Sequence, residues 1–158
     1  MINRISMYLL CLLLISCVKQ KTDYYSFPKN TWNNNDLVRF KINIEDTNIT
    51  NSLFFCIRHT TSYSYQNLIF FTHHYYNNKK ISTDTFDIDL ANDDGKWYGI
   101  GKTDIRELTN INYKSNKFYN KGFHTFELEL AMRDYNNLKI DSLCHISDIS
   151  LFSLVNDE

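Results

Sequence analysis

Proline occurs once and glycine four times in the 158 residues. Collagen-like repeats, glycine-rich phosphate loops and proline-rich linkers are therefore excluded. Basic residues are not in excess, with 17 Lys and Arg against 18 Asp and Glu. No run of Lys or Arg marks a nucleic-acid surface, so no nucleic-acid partner is expected. G-x-S-x-G, Walker A and C-x-x-C motifs are all absent, and an enzyme would have to be assembled wholly from residues distant in sequence. We expect no enzyme, no cofactor and no metal. No later segment matches the apolar run near the N-terminus, and none is apolar enough to span a bilayer. What the chain has in quantity is aromatic side chains: 11 Phe, 11 Tyr and 2 Trp.

The N-terminal run has a definite layout. "MINRIS" carries one positive charge, Arg4, and no acid; "MYLLCLLLIS" follows, and lysines appear at 19 and 21. A charged start, a short apolar centre and small residues at the end are the parts of a secretory signal. The stretch is shorter than the roughly 20 residues a spanning helix needs. Leu14-Ile15-Ser16-Cys17 resembles a bacterial lipobox, which implies cleavage before Cys17 and a lipid on its sulfur. The expected organisation is a signal peptide over 1–16, a lipidated tether over 17–35 and a single domain over 36–158. Without Arg4 the mature chain carries 16 basic and 18 acidic residues. Of the four cysteines, Cys11 leaves with the signal and Cys17 is taken by lipid. Cys56 and Cys144 remain, either as a bridge permitted by an oxidising compartment or as buried small hydrophobes.

Beyond the tether the hydrophobic period is two. Val38, Phe40, Ile42 and Ile44 share one face of a strand, with Arg39, Lys41, Asn43 and Glu45 on the other. "SLFFCIRH" (52–59) and "NLIFFTHHYY" (67–76) are apolar on both faces, as buried strands are. "TFDIDL" (85–90) alternates again, "DDG" (93–95) is a turn, and "KWYGIG" reads as a short strand. In 121–132, His124, Phe126, Leu128, Leu130 and Met132 face one way, with Thr125, Glu127 and Glu129 opposite. "LCHISDISLFSLV" (143–155) predicts a last strand with a bend. The one helical candidate is "DIRELTNINY" (104–113). About seven strands with turns between them argue for an all-β antiparallel sandwich, a jelly roll being one arrangement that fits.

Candidate chemistry is sparse. His73 and His74 are adjacent, so they point to opposite faces and cannot share a metal. His124 sits on an apolar face, where a satisfied core histidine is the plainer reading. Glu127 and Glu129 share a face; such pairs serve glycoside hydrolysis in some enzymes and solubility in most strands. "DIDLANDDG" lacks the sixth-position glycine of a calcium loop, having Asn92 there. Trp32, Trp97 and Tyr98 could form a stacking platform for a glycan, or Trp97 could plug one end of the sandwich.

Four segments in order carry a resemblance: "FPKNTWNNNDLVRFKINIED", "FFCIRHTTSYSYQNLIFF", "STDTFDIDLANDDGKWYGIGKTDIRE" and "FYNKGFHTFELELAMRDYNNLKIDSLCHISDISL". Together with the lipobox they resemble the gliding-motility lipoprotein GldH family of Bacteroidetes, over nearly the whole mature chain. One departure is visible: a glycine is expected just before the final apolar strand residues, and "CHISDISLF" has none. The resemblance implies a non-enzymatic envelope lipoprotein, acting as a scaffold or assembly subunit of gliding machinery linked to type IX secretion. Its partners would be the membrane, through the lipid, and other gliding or secretion proteins. Surface-exported lipoproteins of these bacteria often carry acids after the lipidated cysteine; Lys19 and Lys21 stand here instead, which favours the outer membrane facing the periplasm. A scaffold needs a recognised surface. "RHTTSYSYQN" (58–67) reads as a loop offering Arg58, His59, Tyr63 and Tyr65, residue types that interfaces favour. The alternative is that Tyr63 and Tyr65 cap the sandwich and Arg58 pairs with a nearby carboxylate.

Overall fold

The computed structural model describes residues 21–118, 120–135 and 139–156. The signal peptide and Cys17 lie outside the described residues. Ten strands are present: β1 (Lys21–Ser26), β2 (Thr31–Asn33), β3 (Val38–Ile44), β4 (Thr50–Thr60), β5 (Asn67–Tyr76), β6 (Lys79–Asp89), β7 (Ile105–Asn116), β8 (Gly122–Leu130), β9 (Ser142–Cys144) and β10 (Ile146–Asn156). One sheet has the order β1-β10-β4-β7, a second β3-β8-β5-β6, and β2-β9 form a two-stranded ribbon. Every pair is antiparallel.

The order has a simple logic. β5 and β6 form a hairpin whose turn is Asn77-Asn78, both at positive φ (48° and 60°), as a tight right-twisted hairpin requires. Around it β4 pairs with β7, β3 with β8, and β1 with β10. These are nested pairs, one long hairpin rolled into two sheets, which is the jelly-roll arrangement.

Each sheet turns its apolar face to a shared core. Val38, Phe40, Ile42 and Ile44 of β3 are buried while Arg39 and Lys41 are exposed. On β8, His124, Phe126, Leu128 and Leu130 are buried and the alternate residues are not. From the other sheet come Leu53, Phe55, Ile57, Ile149 and Leu151. Phe55 meets Phe70 and Phe86 edge-on, both with ring centroids at 5.4 Å, joining the sheets. A second tie closes one seam, where the Lys41 backbone N–H on edge strand β3 donates to Asp23 Oδ2 on edge strand β1 at 3.0 Å. Covering an edge donor this way also protects it from foreign strands.

Three expectations are corrected. Residues 104–113 do not form a helix; they open strand β7. The apolar spacing Ile105, Leu108, Ile111 imitates a helical face. Yet Leu108 pairs with Ile57 and Ile111 with Phe55, so three steps on β7 match two on β4. The extra residue is a bulge, with Asn110 in the left-handed region (φ 58°), and it puts Ile111 on the same face as Leu108, whereas Ile105, three regular steps from Leu108, is exposed. The tether is not a tether from Lys21 onward: 21–26 pair with β10, and Tyr25 packs edge-on against Phe27 at 5.0 Å. "KWYGIG" is not a strand but makes two isolated bridges, Ala91 to Trp97 and Ile100 to Glu107. The expected bend near the end is real, since His145 (φ 72°) separates β9 from β10. Cys56 and Cys144 are both free thiols.

Candidate functional site

The register defines two ends. Lys21, Ser153, Leu53 and Lys114 form a row at one end of the first sheet; Ser26, Asp148, Arg58 and Glu107 form a row at the other. The turn from β4 to β5 lies beyond the second row. So does the start of β7, and with it the segment that the Ile100–Glu107 bridge holds against that strand.

At this end the four expected interface residues separate. Arg58 is exposed on the outer face, and its Nε donates to Glu107 Oε2 at 2.5 Å; this interaction raises its pKa further. His59 is fully buried. Its Nδ1 lies 3.0 Å from the Thr60 carbonyl, which only accepts, so Nδ1 carries the proton and Nε2 is a bare, unpaired acceptor. Burial holds its pKa below the ordinary value. Tyr63 is buried too, its hydroxyl donating to Asn67 O at 2.9 Å, and burial raises its pKa. Tyr65 is half-buried beside it, with ring centroids at 5.7 Å. The stretch is therefore a strand end and a tight turn rather than an open loop. It is corrected as a surface, because His59 and Tyr63 fill the end of the core.

The expected glycan platform also divides. Trp32 is fully buried, stacked on Phe27 at 4.9 Å, with its indole N–H donated to Asp36 O at 2.9 Å. The β2-β9 ribbon folds it inward, so it presents no face to a ligand. Trp97 is half-buried, edge-on to His59 at 4.6 Å. Tyr98, its neighbour, is 56% exposed.

What does come together is a cleft of about 370 Å³ lined by Tyr65, Gln66, Asn67, Asp89, Asn92, Asp93 and Tyr98, with Ala91 in its wall. Its walls are fixed by hydrogen bonds. Gln66 O accepts from the N–H groups of Leu90 and Ala91, at 2.7 and 3.0 Å. Gln66 Nε2 donates to Asn92 O at 3.1 Å. Asn92 Oδ1 accepts the Lys96 N–H at 2.8 Å, and Gly95 (φ 77°) closes the turn. The Gly-x-Gly element has a steric reason: a Cβ on Gly101 would lie 1.9 Å from Ile105 O, and one on Gly99 would lie 3.0 Å from the Glu107 backbone.

A second polar cluster lies inside the fold. His74 Nε2 and His124 Nδ1 are 2.9 Å apart, and His124 Nε2 is 2.9 Å from Asn120 O. The carbonyl fixes the protons: His124 donates through Nε2, so its Nδ1 accepts from His74 Nε2–H. His74 Nδ1 is then bare, and it has no partner. Phe126 stacks on His74 at 4.6 Å. Burial, then the neighbouring imidazole, pushes the His74 pKa down to about 4, and burial lowers that of His124. His73 faces away from this pair, towards Glu129 Oε2 (3.1 Å) and Thr83 Oγ1 (2.9 Å). That bond, and Lys139, hold Glu129 below the ordinary carboxylate range. Glu127 pairs with Arg39 at 2.6 Å. Both glutamates are thus in ion pairs along the sheet face. Among the described residues no group of three or more His, Cys, Asp or Glu could hold a metal ion.

Comparison with known proteins adds the following. A family model described as GldH lipoprotein matches residues 19–151. A "Gliding motility lipoprotein GldH homolog" of Christiangramia forsetii is 28% identical over 145 residues, covering 90% of this chain and 88% of the relative. "Gliding motility lipoprotein GldH" of Flavobacterium johnsoniae is 27% identical over 143 residues, covering 89% of each. Among solved structures, dimeric latent PorU from Porphyromonas gingivalis aligns with 90% of this chain but 14% of its own, at 12% identity and a TM-score of 0.34. That value is too low to define a shared fold.

Proposed function

Since the chain belongs to the GldH lipoprotein family, we propose that it is a non-enzymatic assembly subunit of envelope machinery for gliding, linked to type IX secretion. Cys17 carries the lipid and holds the domain at the outer membrane, facing the periplasm. The observation that carries this reading is the match of the family model over 19–151, supported by two relatives named as gliding motility lipoproteins.

The fold adds an orientation to the anchor. Three residues separate Cys17 from Lys21, and the four steps between them span at most about 14 Å of chain. On this reading the Lys21 end of the sandwich lies close to lipid. The opposite end, with the β4–β5 turn, Tyr98 and Ile100, points into the periplasm, where another envelope protein can reach it. A lone acyl chain holds weakly and two or more hold firmly, so the domain needs no lipid contact of its own.

Two measurements test the proposal. Cys17→Ala leaves an unlipidated protein that fractionates as soluble or persists as precursor; an acylated outer-membrane product would overturn the anchor. A deletion strain loses gliding and type IX export together; normal spreading and normal export would overturn the assembly role.

A further inference from the structure

The cleft between Tyr65 and Tyr98 has features that a scaffold does not need. It is a concave site of ligand size at the end of the sandwich remote from Lys21, and its lining has a consistent chemistry. Tyr98 is more than half exposed. Asp89 and Asp93 make no ion pair among the described residues. Asn92 spends its Oδ1 on the Lys96 N–H, which leaves its NH₂ group as a donor. No Lys, Arg or His lines the cleft.

Each feature narrows the ligand. An exposed ring in a concave wall offers a flat apolar surface to C–H groups. Two unpaired carboxylates are acceptors only, so they suit a partner rich in hydroxyl donors. The absence of any cation in the lining disfavours phosphates, uronic acids and other anions, which would face uncompensated like charge. The two turns that build the cleft are already hydrogen-bonded, so little ordering is required on binding. We infer that this cleft binds a neutral oligosaccharide, with Tyr98 stacking on a sugar ring and Asp89 and Asp93 accepting from its hydroxyls. The site belongs to the folded domain and stands whether or not Cys17 carries lipid. Where the anchor holds, the cleft faces away from the membrane.

The purified full-length protein in detergent is applied to an array of neutral hexose and N-acetylhexosamine oligomers, uronic-acid oligomers and sialylated glycans. The expected result is saturable binding within the neutral set alone. The best neutral oligomer is then titrated by calorimetry. Tyr98→Ala weakens binding at least 10-fold and leaves the melting temperature unchanged, since the ring is outside the core. Asp93→Asn, at an exposed position, is the second variant should the first fold poorly, and it weakens binding several-fold. Silence across the neutral set overturns the inference. So does preferential binding of the acidic glycans, affinity untouched by both variants, or a response to calcium alone.

Discussion

Replacing His74 by glutamine isolates the acid sensitivity of the core. In the native protein His74 donates through Nε2 to His124, and its bare Nδ1 is buried among Phe118, Phe126 and His124. A proton added at Nδ1 would be a buried charge with no acceptor. The charged groups around it are Lys114 from β7, which opposes protonation, and Asp84 from β6, which favours it and is held by the Tyr113 hydroxyl at 3.0 Å. Lowering of the His74 pKa to about 4 is the net result. The unfolded chain takes this proton near pH 6.5 and the folded chain only near 4, so acid favours unfolding. Stability is complete above about pH 7 and falls as the pH drops towards 4. Linkage makes the loss about 2 kcal/mol at pH 5 and about 3 kcal/mol in the limit.

Glutamine keeps a donor near the position of Nε2 and removes the titration. It also loses the stack on Phe126, so His74→Gln is less stable than the native protein at pH 7. The informative quantity is the change between pH 7 and pH 5, measured by urea unfolding at each pH. Contributions from His59 and Glu129 are common to both proteins and cancel to first order, whereas His124 touches His74, so the difference reports the pair as a unit. The native protein loses about 2 kcal/mol more than the variant over this interval, or roughly 4–8 °C more in melting temperature. Equal losses in the two proteins would refute the assigned tautomers and the neutrality of the pair.

Leu128→Ala removes a fully buried side chain from β8 and costs about 2–5 kcal/mol, while Lys41→Ala on the outer face of β3 stays within about 0.5 kcal/mol; chemical denaturation of both checks the period of the sheet. Gly101→Ala forces the backbone away from Ile105 O and lowers stability by about 1–3 kcal/mol, read as a lower urea midpoint. At His145, glycine relieves a left-handed backbone worth about 1 kcal/mol but loses the 3.0 Å bond between Nδ1 and Thr60 Oγ1. His145→Gly is therefore near neutral and His145→Ala is about 1 kcal/mol worse, a difference that thermal melts resolve.

By the resemblance a glycine is expected in the stretch before the last apolar strand residues, and His145 is the residue of that stretch held at positive φ. Thr60 ties it on both sides, through its hydroxyl to Nδ1 and through its N–H to His145 O at 2.9 Å. A backbone that glycine adopts freely is here held by two bonds from a neighbouring strand. The stretch has no glycine, and the bonds that hold His145, from a residue 85 positions away, could not be read from local pattern.

The same division runs through the rest of the chain. Alternation is a local signal, and it set the faces of β3 and β8 correctly because both strands are regular. In β7 the bulge at Asn110 brings Leu108 and Ile111, three residues apart, onto one face, a spacing that local pattern cannot tell from a helical one. In "KTDYYS" only Tyr25 shows a core contact, too little pattern to betray a strand, although its pairing with β10 completes the first sheet. Trp32 could be read as part of a stacking platform; its burial depends on a ribbon partner more than a hundred residues later, Leu143. The cleft follows the same rule. Its residues come from the β4–β5 turn and from the segment after β6, brought side by side because β5 and β6 pair with Asn67 opposite Asp89. The nested order of the strands thus separates two kinds of information. Short segments encode which face is apolar, while the site is written in the pairings, at an end of the sandwich where turns distant in sequence must meet.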